Sequence, residues 1–155
     1  MRKVFHFDVP IEAYVCDAAV VWCFDHRFEL AFRKFLERRG FINTDSIKIA
    51  GGAKALATPD SESERSFVIE QIRKSMRLHG TQHVILMMHS DCGAYGGLAA
   101  FDNHRRNEAE QLRHQLARAA DYLQTQIPSI RISRFFVDFE GVWDASAETN
   151  AEVPA

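Results

Sequence analysis

Two stretches, Ala18-Ala19-Val20-Val21-Trp22-Cys23-Phe24 and His83-Val84-Ile85-Leu86-Met87-Met88-His89, are apolar at nearly every position rather than at every second one. A strand with one face in water alternates; a strand covered on both faces does not, and its usual place is the interior of a parallel sheet. Around these runs the periodicity becomes helical. Phe28, Ala31, Phe32, Phe35 and Leu36 recur at helical spacing, and Gly40 stands where a left-handed cap belongs. Ser46 to Ala50 reads as the second strand, which Gly51-Gly52 breaks. Ser61-Glu62-Ser63-Glu64 is a capping box opening a helix with Val68, Ile69, Ile72 and Met76 as its stripe and Gly80 as its end. A longer helix from about Asn107 to Gln126 carries Ala109, Leu112, Leu116, Ala119, Ala120 and Leu123 on one face, with Pro128 just beyond it. Ile130 to Phe139 is the fourth strand, and Gly141 turns the chain toward a short edge strand at Val142-Trp143.

This alternation predicts an α/β chain with a mostly parallel sheet of order 2-1-3-4, a short antiparallel edge strand and helices on both faces. One domain over residues 1–143 accounts for it, followed by a polar tail, Asp144 to Ala155, expected to be loose. The length of 155 residues, 46% apolar and 26% charged, suits a single globular domain. A formal net charge of −2 leaves no electrostatic footprint for nucleic acid, and Arg105-Arg106 is too short a basic run to make one. No apolar run reaches membrane-spanning length, and the segment after Met1-Arg2-Lys3 lacks the continuous apolar core of a signal peptide, so a cytoplasmic location is expected.

The chemistry concentrates where two of the expected strands end. Cys23-Phe24-Asp25-His26-Arg27 and His89-Ser90-Asp91-Cys92-Gly93 together supply two thiols and an imidazole. These are ligands that Zn²⁺ prefers, and three of them plus a water make a catalytic site, whereas a structural site supplies four. A His-x-x-Cys alone is a weak signal; with Cys-x-Asp-x-Arg the chance of both falls to roughly one in several hundred. On extended backbone the spacing of Asp25 and Arg27 puts them on one side, able to pair. In an open parallel sheet ligands gather beyond the carboxyl ends of the strands where strand order reverses. For order 2-1-3-4 that point lies between strands one and three, whose ends carry Cys23 and His89. The glycines of Cys92-Gly93-Ala94-Tyr95-Gly96-Gly97 let backbone approach a metal closely. Cys16 is left over and reads as a packing residue, or as a spare thiol if a metal lies near. Three cysteines without framework spacing fit a reducing compartment. A thiol-phosphate mechanism is disfavoured because six residues beyond Cys23 and Cys92 stand Glu29 and Leu98 rather than Arg, and no Cys-x-x-Cys supports thiol redox chemistry.

Cys23-x-Asp25-x-Arg27 followed by His89-x-x-Cys92-Gly93-Ala94 resembles the paired signature of the β-class carbonic anhydrases, and Ala50-Gly51-Gly52 resembles that family's turn after the second strand. The resemblance runs from about Val20 to Trp143. It implies that Cys23, His89 and Cys92 hold Zn²⁺, that Asp25 pairs with Arg27, and that a zinc-bound hydroxide attacks carbon dioxide to give bicarbonate. It also implies a closed state in which Asp25 becomes the fourth ligand, and a homodimer or higher homo-oligomer with its sites at the subunit boundary. The chain departs from the family pattern at His26, usually Ser, and at Lys48-Ile49, usually Arg-Asn. Two alternatives stand beside the hydration reading: hydrolysis of carbonyl sulfide or carbon disulfide at the same site, and zinc binding without catalysis. His26 and His104 are candidate proton shuttles because histidine titrates near neutrality. Tyr95 is a candidate pocket wall or core aromatic.

Overall fold

The computed structural model describes residues 1–146. Five strands form one sheet in the order β2-β1-β3-β4-β5: β1 Ala18–Trp22, β2 Thr44–Lys48, β3 His83–His89, β4 Arg131–Val137 and β5 Val142–Asp144. The first four are mutually parallel, and β5 returns antiparallel along β4. The expected architecture is therefore present, with boundaries moved. β2 lies two residues earlier than Ser46–Ala50, since Thr44 and Asp45, turn-like in isolation, pair with Ala18 and Ala19. β4 stops at Val137, because Asp138 turns the chain by accepting the amides of Glu140 and Gly141 at 2.8 Å. At the far edge Asp144 pairs with Phe135, and Ala145 is buried with its amide donated to Arg134, so both residues belong to the fold. The remainder of the expected loose tail, 147–155, lies outside the described residues.

The helices divide unequally between the two faces. On one, Ala18, Val20, Trp22, Ile85, Met87, Phe135 and Val137 pack against Phe28 and against Phe32 and Leu36 of α1 (Glu29–Arg38). Trp22 stacks flat on Phe32, with ring centroids 5.3 Å apart. Ala31, expected on this stripe, is exposed. On the other face, Ala19, Val21, Val84, Leu86, Met88 and Phe136 meet three helices: α2 (Lys54–Ala57), α3 (Glu62–His79) and α4 (Arg105–Gln126). Alternate residues of one strand thus feed opposite cores, which is why β1 and β3 are buried along their whole length. Each large side chain buried this way contributes roughly 1.5–3 kcal/mol. None of the helices among the described residues is long and apolar enough to cross a membrane.

Candidate metal centre

The chain reverses its direction of growth across the sheet between β1 and β3, and both strands run out at the same end. Beyond Trp22 the backbone is pinned: Gly52, at φ +56°, sits so close that a Cβ there would lie 2.6 Å from the Met87 carbonyl and 3.0 Å from the Cys23 amide nitrogen. Only a residue without a side chain admits this packing, and it fixes where Cys23 leaves the strand. A short 3₁₀ turn follows over His26–Phe28, capped by Asp25, whose carboxylate accepts the Arg27 amide at 3.0 Å.

At the end of β3 the geometry selects a tautomer. His89 Nδ1 lies 2.8 Å from the Ser90 carbonyl, an acceptor only, so Nδ1 carries the proton. Nε2 is then a lone-pair donor, buried and without a hydrogen-bond partner among the described residues. An orphaned buried imidazole nitrogen is costly unless something electrophilic meets it. It faces the two thiols: Cys23 Sγ, Cys92 Sγ and the His89 ring nitrogen lie within 4.8 Å of one another, all three residues buried. The sulfurs are 4.0 Å apart, far beyond a disulfide and close to the ~3.8 Å that two thiolates span on a tetrahedral ion with metal–sulfur bonds of about 2.3 Å. Donor chemistry, spacing and the unpartnered nitrogen all fit Zn²⁺. The three sequence-predicted candidate ligands therefore converge, although Cys23 and Cys92 lie 69 residues apart along the chain.

The charges around this trio are arranged by Arg27. Its guanidinium takes Asp25 through Nε and Nη2 at 2.7–3.1 Å, and takes Asp91 through both the carboxylate at 2.8 Å and the main-chain carbonyl at 2.9 Å. Those bonds from Arg27 hold Asp25 down at about 2, so it is anionic at any physiological pH. Its Oδ2 stands 3.9 Å from His89 Nε2, at the border of the ligand trio. The Cys92 thiol donates toward Cys23, and with His89 and the amides of Asp25 and Gly51 it lowers Cys23 to about 4 against the opposing effect of burial. Beside that thiolate, Cys92 is pushed up, so the pair gives up its first proton readily and its second with difficulty. Burial disfavours the imidazolium of His89, but Cys23, the Ser90 carbonyl and Asp25 outweigh it and raise its pKa.

Two residues that sequence reasoning left without a role brace this end of the molecule. Asp91 adopts φ 55°, accepts the Leu98 amide at 3.0 Å and receives Arg27. Glu108, in the first turn of α4, is fully buried and takes the Ser90 hydroxyl on one oxygen and the Asp91 amide, at 2.6 Å, on the other. A signal for Glu108 was present, since it continues the apolar stripe of Leu112, Leu116 and Leu123 with a carboxylate. Other expectations resolve differently. His26 and His104 are both exposed, His104 as the residue that opens α4. Lys48 pairs with Glu29 at 2.6 Å, and Ile49 packs on the core. Tyr95 is a partly buried core aromatic whose hydroxyl approaches Met88 Sδ at 3.6 Å. Cys16 precedes β1 and lies at the opposite end of the strand from Cys23.

Comparison with known proteins adds a lineage to this geometry. A family model described as "Putative carbonic anhydrase" matches residues 14–145. An uncharacterised protein of Rickettsia conorii is 23% identical over 126 residues, covering 79% of this chain and 68% of its own. Among solved structures, a carbonic anhydrase from Streptococcus mutans superposes with a TM-score of 0.61 at 20% identity, over 91% of this chain and 87% of the other. A carbon disulfide hydrolase in its apo form gives 0.57 at 14% identity, over 92% and 88%. At these identities the two structures share the fold.

Proposed function

The chain belongs to that carbonic anhydrase family, as a divergent member with the β-class fold, and from this we propose that it catalyses the reversible hydration of carbon dioxide to bicarbonate. The observation that carries the reading is the buried trio of Cys23, His89 and Cys92 with an ionised carboxylate at its rim. These three residues would hold Zn²⁺, which supplies a Lewis acid able to bring the pKa of water from 15.7 toward about 7.

The remaining work falls to the chain's own side chains. Asp25, kept anionic by Arg27, accepts the hydrogen of the attacking oxygen and thereby points its lone pair at the carbon of carbon dioxide. Arg27 holds Asp25 through two nitrogens, which prevents the carboxylate from turning inward to become a fourth ligand. Trp22 and Phe28 pack on the His89 ring, at 5.6 and 4.9 Å between centroids, and make the approach apolar, suited to a small uncharged substrate. The proton released on hydration leaves to solvent, and Asp25 remains ionised throughout.

The test is a carbon dioxide hydration assay on the zinc-loaded chain and two variants. Cys23→Ser is expected to lose zinc and activity together, whereas Asp25→Ala is expected to keep zinc and lose at least ~100-fold in kcat/KM. Turnover by Asp25→Ala equal to the parent, or no rate above buffer in zinc-loaded parent protein, would end the proposal; the latter result describes a zinc-binding protein without catalysis. The carbon disulfide hydrolase likeness favours a second reading, attack on carbon disulfide or carbonyl sulfide at the same site. Turnover of those substrates with none of carbon dioxide would select it. As the working unit we propose a homodimer, supported by Leu30 and Phe139, which are 63% and 54% exposed in the single chain.

A further inference from the structure

At the opposite end of the sheet a second set of metal-ligating side chains converges. Cys16 stands two residues before β1, Asp45 is the second residue of β2, and His79 is the last residue of α3. One ligand atom from each lies within 4.8 Å of the other two. We propose that Cys16, Asp45 and His79 form a second metal-binding site, for Zn²⁺ or a similar borderline divalent ion, separate from the Cys23 centre.

The donor set suits such an ion, combining thiolate sulfur, imidazole nitrogen and carboxylate oxygen. Two anionic ligands cancel the charge of a divalent ion, so a buried thiol gains a compensated partner. The frame is built without the ion. The Cys16 amide donates to the His79 carbonyl at 3.0 Å, and the Asp17 amide donates to the Asn43 carbonyl at 2.7 Å, which locks the start of β1 to the end of α3 and the entry to β2. His79 is oriented by Tyr14, whose ring stacks on it with centroids 4.4 Å apart, and its Nδ1 lies 2.8 Å from Asp45, so two of the proposed ligands already meet. Ser75, itself buried and bonded to Thr81 at 2.6 Å, lines the same groove as Asp45 and His79. Such outer contacts keep metal ligands aimed. A groove of about 250 Å³ bordered by Asp45, Ser46, Gln71, Lys74 and His79 opens beside two of the three side chains.

Hydrogen bonding among the three side chains, with no metal, is the competing account, and it treats Cys16 as a thiol spent against a carboxylate. Stoichiometry separates the two. Six residues of near-extended chain stand between Cys16 and Cys23, so the two Cα atoms are about 23 Å apart at ~3.3 Å per step and the two centres titrate independently. Reduced, metal-stripped full-length protein should bind two equivalents of Zn²⁺ in anaerobic equilibrium dialysis. Cys16→Ser and His79→Gln should each bind one. The Cys23→Ser/Cys92→Ser double variant should also retain one, and with Co²⁺ should show the sulfur-to-cobalt charge-transfer band of a single thiolate, which adding Cys16→Ser abolishes. If the parent protein saturates at one equivalent, and the double variant binds none, there is no second site. The parent count needs no variant to fold, and His79→Gln, which keeps a polar group beside Asp45, covers failure of Cys16→Ser.

Discussion

Glu108 shows how much one buried carboxylate can organise. It serves the Ser90 hydroxyl and the Asp91 amide, one on either side of the peptide that leads from His89 to Cys92. Truncation to Ala would strand both donors in a place water does not reach, and hydrogen bonds to charged groups are worth about 1.5–3 kcal/mol apiece. Glu108→Ala is therefore expected to lower unfolding free energy by roughly 3 kcal/mol in urea titration and to weaken zinc retention, while Glu108→Gln, which preserves one acceptor, loses less of both. The same residue marks a limit of reading from sequence. Cys23, His89, Cys92, Asp25 and Arg27 could be named because each belongs to a short local string of unusual composition. Glu108 and Asp91 act through contacts with segments far away or through a left-handed backbone, and neither property is written in neighbouring letters.

Among elements, the long and periodic ones were legible, as was the short edge strand β5 after its turn glycine, whereas the shortest α-helix was not. Continuous apolar runs placed β1 and β3, and the 3.6-residue stripe placed α3 and α4. The four residues of α2 are too few to show a period. The capping box at α3 is half as read: Ser61 Oγ accepts the Glu64 amide at 3.3 Å, but Glu64 reaches past Ser61 to the Asp60 amide at 2.9 Å. The pairing of β3 with β4 carries a pH response. His83 opens β3, buried, with Nδ1 accepting from Arg131 at 3.0 Å and Nε2 donating to the Ser133 hydroxyl at 2.9 Å, so the ring is held neutral. Burial, assisted by the Arg131 charge, lowers its pKa from 6.5 to about 4. Below pH 6.5 the unfolded chain takes a proton that the folded one refuses, so stability is complete above that pH and declines toward pH 4 by up to about 3 kcal/mol. In denaturant titrations between pH 7 and 4.5, His83→Asn should flatten that slope relative to the parent protein.

For the molecule as a whole, the unequal division of helices is the dominant fact. Among the described residues, three α-helices cover one face of the sheet and one ten-residue α-helix covers the other. On that thinner side Phe139 packs at a tilt on Phe28, beneath the Arg27 guanidinium, with much of its ring in solvent. If a second copy covers it, Phe139→Glu should shift sedimentation from dimer to monomer without unfolding the chain. The topological crossing between β1 and β3 was foreseeable from the strand-helix alternation, and Cys23 and His89 stand at its two exits because parallel strands present all exits at one end. Arg27 grips the loop after β1 through Asp25 and the loop after β3 through Asp91, so neither can open while the fork holds. The two segments should behave as one cooperative unit in hydrogen exchange, with backbone amides after Cys23 and after His89 taking up deuterium at a common rate. Arg27→Lys, which offers a point charge in place of a planar fork, should let the two rates diverge.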